Sequence, residues 1–153
     1  MFTLHITNLQ KTLPLDRRRM RQAIRAIVRD AEIPEARISL AILDDPAIAA
    51  LHQRYMNDPE STDVLSFVLE RTEHCLEGEV VISADTARAN AARYRSTPEK
   101  ELLLYAIHGT LHLVGYDDTT PKKRALMRKM EKKYLTQNIK THNIQPKKIN
   151  PSV

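Results

Sequence analysis

The stretch that most constrains this chain runs from Thr97 to Asp118, TPEKELLLYAIHGTLHLVGYDD. Thr97 and Pro98 open a helix. The threonine can accept from an orphan N–H, and proline in the first turn loses no bond because its missing N–H would go unpaired anyway. Gly115 should end it, since glycine tolerates the left-handed conformation of a helix C-terminus. Within this helix His108 and His112 are four apart, so they share a face and can aim two imidazole nitrogens at one point. Past Gly115 the chain can double back and bring Asp118 to the same point, with Asp117 a competing donor if the turn differs by one residue. Three protein ligands leave one position for water, which marks a catalytic zinc-type site rather than a closed structural one.

Elsewhere strands and helices alternate. FTLHIT (2–7) alternates in polarity and reads as a strand; the run from Asp16 to Ala31 changes to a helical period. There Met20, Ile24, Ile27 and Ala31 lie on one side and Arg18, Arg21, Arg25 and Arg29 on another. ISLAIL (38–43) is a second strand, and the Asp-Pro start of DDPAIAALHQRYM opens a further helix. VLSFVL (64–69) and GEVVIS (78–83) are strands close enough for an antiparallel hairpin, with ERTEHCLE between them. ADTARANAARY is helical, and Pro121 starts a last helix. After Leu135 the periodicity ends, and 136–153 reads as a basic, flexible tail. The expectation is one α/β (α+β) domain over 1–135: a four-stranded mixed sheet, about five helices and a metzincin-like helical metal-binding motif.

That likeness rests on the metzincin pattern H-E-x-x-H-x-x-G-x-x-H. It stops at position 109, where the pattern's general-base glutamate is replaced by Gly109. Thr110 cannot take its place. A metallohydrolase acting on peptides is therefore disfavoured.

Charge is unevenly spread. Residues 121–153 carry ten Lys and Arg against one acid, Glu131, while 38–120 carries a net −8. Basic ends suit an anionic partner, nucleic acid first; a solvated helix face and a free tail account for the same charges without any partner. One cysteine, Cys75, forms no internal disulfide, and a reducing cytoplasm is the simplest setting. The start MFTLHITNLQ lacks the pattern of a signal peptide, and no apolar run of about 18 residues is present to span a membrane.

HGTLHLVGYDD resembles the signature of the YbeY family, metal-dependent endoribonucleases of ribosomal RNA maturation: H-G-x-L-H-L-x-G-Y-D-H. Every specified position matches except the last. STDVLSF (61–67) and GEVVIS (78–83) are similar to two further family blocks, in the same order. The resemblance implies one divalent ion, zinc first, held by His108, His112 and Asp118. It implies RNA, single-stranded ribosomal RNA above all, and ribosomal subunit components as partners, with no membrane role.

Asp118 stands where the family has histidine. A carboxylate makes the ion less positive and favours harder metals. The family's arginine on the loop before the strand motif falls at Met56, leaving Arg54 as the nearest substitute. Ser66 and the edge of strand 64–68 would lie along the substrate cleft, making His108, Arg54 and Ser66 the catalytic candidates. Arg18, Arg21, Arg25, Arg29, Lys122 and Lys123, with Lys147 and Lys148, would attract phosphates. Low aromatic content, 5% with no tryptophan, argues against extensive base stacking. Asp118's second oxygen, Glu70 or a substrate 2′-hydroxyl would serve as base. The departures at 56 and 118 keep a second reading open, a ribosome-assembly factor with a structural metal.

Overall fold

In the structure, a computed structural model that describes residues 1–44, 46–48, 50 and 64–149, strand β1 (Phe2–Asn8) leads into helix α1 (Arg17–Asp30). Asp16 starts that helix, its carboxylate accepting from the Arg19 N–H at 3.1 Å. Met20, Ala23, Ile24, Ile27 and Val28 form its buried face. Arg18, Arg21, Arg25 and Arg29 are exposed, as the period requires. The helix carries the chain back to β2 (Glu35–Leu43), which pairs with β1 in parallel. A parallel pair needs such a crossover.

After β2 the Asp44 carboxylate accepts from the Ala47 N–H at 3.0 Å and residues 46–48 are helical. Strands β3 (Val64–Arg71) and β4 (Cys75–Ser83) form the expected antiparallel hairpin, and β4 lies parallel to β2. The sheet is mixed, in the order β1-β2-β4-β3. Pairing extends further than the apolar runs suggest, to Arg71 opposite Leu76, with a register shift between Val68 and Glu70. The end of β3 is solvent-exposed, so its backbone ladder continues without apolar side chains to mark it. Cys75 is only half-buried there, its thiol donating to Glu70 Oε1 at 3.3 Å.

Helix α2 (Ala84–Arg93) is capped by Ser83, and α3 (Pro98–Leu113) by Thr97, whose Oγ1 accepts from the Lys100 N–H at 3.1 Å. Helix α4 starts at Pro121 and runs to Ile149. The backbone of 136–149 continues this helix. The loss of periodicity at Leu135 does not mark the end of the helix. No glycine and no proline interrupts 122–145, and most of those residues are good helix formers.

The main core lies between the sheet and α1 and α3, around Ile24, Leu40, Ile42, Val80, Ile82, Leu102 and Leu111. A smaller cluster of Leu43, Ile48, Leu65 and Val81 covers the opposite face. Two features fix α3. Gly78 on β4 leaves room for Leu113, and the guanidinium of Arg71 donates to the Leu113 carbonyl at 3.0 Å. The last turns of α3 are thereby pinned over the β3–β4 hairpin. Helix α4 is tied to the end of α1 by the Tyr134 hydroxyl, which donates to Asp30 Oδ2 at 2.8 Å. That bond, more than the neighbouring Arg29 and Lys133, holds the Asp30 carboxyl below its usual range.

Candidate metal centre

From Glu101 to Leu113 every residue of α3 is buried except three: Leu104, His108 and His112. They recur every four residues and so form one half-open stripe on a helix otherwise enclosed. The histidines face the only open side of this segment.

The helix ends as the sequence requires. Gly115 adopts a φ of 116°. Its N–H donates to the His112 carbonyl at 3.1 Å, and the Tyr116 N–H donates to the Leu111 carbonyl at 3.0 Å. This pair of bonds is the Schellman motif, which needs a left-handed residue at that point. The chain reverses there and delivers Asp118 to the histidines. The two Nε2 atoms are 3.1 Å apart; Asp118 Oδ2 is 3.6 Å from His112 Nε2 and 3.8 Å from His108 Nε2. Ligand atoms at about 2.0–2.2 Å from a tetrahedral ion stand about 3.3–3.6 Å apart. The three donors match that triangle closely enough to hold a metal ion. Asp117 is not among them: its carboxylate accepts from the Thr119 N–H and hydroxyl and from Lys123, and the Thr119 backbone bond foremost holds it below the usual carboxylate range.

Glu131, on α4, was not among the residues expected at the site. Its carboxylate pairs with Nδ1 of His108. A carboxylate behind a metal-binding imidazole fixes the ring and its tautomer, leaving the other nitrogen's lone pair for the ion. The contact spans 23 residues and two helices, beyond the reach of local spacing. The available signal was that Glu131 is the one acid among ten basic residues in 121–153. Glu131→Gln is expected to weaken metal binding by about 10- to 100-fold, measured by competition with a chelating dye. Wild-type affinity in that variant would remove Glu131 from the site.

The other expected site residues are placed differently. The Ser66 hydroxyl donates to the Gly109 carbonyl at 2.9 Å, so it ties β3 to α3 rather than standing free in a cleft. Glu70 faces Cys75 across the hairpin. Arg21 donates to the Leu4 carbonyl, Arg25 stacks over Phe2 and Arg29 pairs with Asp30. With Arg18 they form a face beside β1, at the far edge of the sheet from β3. Lys123 pairs with Asp117 and Lys122 is exposed. Arg54 and Met56 lie outside the described residues. The basic residues that the structure does bring to the histidines are Arg124 and Arg128, which line a cavity of about 250 Å³ together with His108, Asp118 and Glu131.

The family model described as Endoribonuclease YbeY matches residues 5–138. The chain is 37% identical over 123 residues to the Endoribonuclease YbeY of Desulfitobacterium hafniense, covering 74% of this chain and 78% of that protein. It is 35% identical to that of Syntrophus aciditrophicus, over 82% and 83% of the two chains. The match to the Rhodopirellula baltica protein is 42% identical over 96 residues and spans 50% of that longer chain. A solution structure of a Thermotoga maritima protein superposes with a TM-score of 0.66 at 26% identity, over 95% of each chain.

Proposed function

Because this chain belongs to the YbeY family of endoribonucleases, we propose that it is a metal-dependent endoribonuclease that cuts single-stranded RNA in ribosomal RNA maturation. The observation that carries this reading is the triangle of His108 Nε2, His112 Nε2 and Asp118 Oδ2 at the open stripe of α3. Two imidazoles and one carboxylate suit zinc first among divalent ions. Such an ion supplies Lewis acidity toward a phosphoryl oxygen and toward water.

The chain's own groups do the rest. Glu131 orients His108 through Nδ1. The half-exposed Asp118 carboxylate keeps its second oxygen, Oδ1, as a proton acceptor at the cluster. Glu70, spent on Cys75, is not placed for that role, which leaves Asp118 Oδ1 as the base; a substrate 2′-hydroxyl would give up a proton to it rather than take one. RNA and ribosomal subunit components are the partners, and the cytoplasm is the setting. No helix among the described residues is long and apolar enough to cross a membrane. Asp118 in place of the signature histidine favours a second reading, an assembly factor whose metal is structural, because a carboxylate lowers the ion's positive charge.

Purified protein loaded with zinc should cut single-stranded RNA, stop when a chelator is added and resume when metal is restored. Protein that holds one metal per chain yet leaves single-stranded and ribosomal RNA intact overturns the nuclease reading in favour of the second.

A further inference from the structure

Arg124, Met127, Arg128 and Glu131 follow the i, i+3, i+4, i+7 spacing of one helix face. On α4 that face lines the cavity at His108, together with Leu104, Tyr105 and Asp118. Arg124 donates through one guanidinium nitrogen to the Asp118 carbonyl at 3.3 Å. Its position is thereby coupled to the turn that carries the third ligand. Arg128 is exposed and makes no ion pair among the described residues. Two cations one turn apart share this cavity with two acids, Asp118 of the donor triangle and Glu131, which pairs with His108.

We propose that Arg124 and Arg128 form a phosphate clamp, holding the RNA backbone phosphate next to the one placed at His108, His112 and Asp118. Guanidinium groups present paired N–H donors that match two phosphate oxygens, and they stay charged at any working pH. This places the phosphate-holding cations on α4, within the cavity, and not on the α1 arginine face across the sheet. The proposal rests on the RNA-cleaving reading, and its test separates the two.

The probe is a single-stranded RNA dodecamer, with binding followed by fluorescence anisotropy across a salt series on zinc-loaded protein. Arg128→Gln is expected to raise Kd roughly tenfold and to reduce the salt-dependence slope by about 0.7, the value of one lost contact to a single strand. Metal content should not change. Arg128→Lys should restore the slope but only part of the affinity, because a point charge lacks the planar fork. Lys129→Gln removes the same charge from a neighbouring helix face and should leave both numbers near wild type. The clamp is overturned if Arg128→Gln binds like wild type, or if Lys129→Gln is equally affected. Normal cleavage by Arg128→Gln with unchanged KM overturns it while sparing the nuclease reading. Wild-type protein that binds the dodecamer through Arg128 without cutting it supports the clamp and sinks the nuclease reading. Protein that neither binds nor cuts RNA sinks both.

Discussion

Asp118→Ala is expected to leave the protein folded and to release its metal. His108 and His112 alone offer two nitrogens 3.1 Å apart, and the third corner of the triangle becomes solvent. Loss of a carboxylate behind a ligand already costs about 10- to 100-fold in affinity, so loss of a ligand atom itself should exceed about 100-fold. Dialysed Asp118→Ala should carry no stoichiometric zinc and should fail to cut RNA. The fold should survive because Asp118 sits half-exposed in a turn, where substitutions away from packing contacts usually cost less than about 0.5 kcal/mol. Unfolding with chelator present should therefore be nearly the same for variant and wild type. Asp118→His tests the sign of the carboxylate's effect. A neutral donor leaves the ion more positive and a bound water more acidic, so this variant should bind zinc and cut RNA faster than wild type. Full zinc content in Asp118→Ala would show that the third ligand has been misplaced.

How readily each feature could be read from the sequence follows the range of the interaction that makes it. The helix starts at Asp16, Thr97 and Pro121 and the stop at Gly115 are local bonds among adjacent residues, and each was legible. So was the ligand triangle, because His108 and His112 are one turn apart and a Schellman ending determines where Asp118 can go. The mixed sheet followed from connection lengths. Features made by contacts between elements were not legible. Glu131 reaches His108 from another helix, and Ser66 spends its hydroxyl on the Gly109 carbonyl. Nothing in VLSF distinguishes a serine facing a helix from one facing a substrate. The α1 arginines were legible as a face but not as a distant one. The α4 cations were hidden in a run of ten basic residues whose orientation only the tertiary structure supplies.

Gly109 illustrates the same limit, and substituting it should have the second large effect. In the sequence it is notable as a missing general base. In the structure it is the point where α3 touches the sheet: an added Cβ would come within 2.4 Å of Val80 Cγ1, 3.0 Å of Val64 Cγ1 and 3.1 Å of Ser66 Oγ. Two opposing terms decide the outcome of Gly109→Ala. Alanine is favoured over glycine inside a helix by about 1 kcal/mol. Against this, Val80 is fully buried, and a β-branched side chain on a strand has little rotamer freedom with which to yield. Helix and sheet must then separate, and overpacking of this kind costs about 1–3 kcal/mol. The contact at 2.4 Å is far inside van der Waals distance, so the clash should win. Thermal unfolding of Gly109→Ala should fall by several degrees, at about 2–4 °C per kcal/mol for a chain of this size. Because the Ser66 bond to the Gly109 carbonyl stretches as α3 lifts, the adjoining His108 should shift and zinc binding should weaken along with stability. A higher melting temperature with unchanged metal affinity would mean that propensity outweighs the contact. Gly109→Glu, which writes the metzincin base into the motif, should fare worse. Its side chain would be driven toward Val80 and Ser66, so it would abolish folding rather than create a protease. Glycine at 109 is a requirement of how closely α3 lies on β3 and β4, and that closeness is what holds the two histidines at the open stripe.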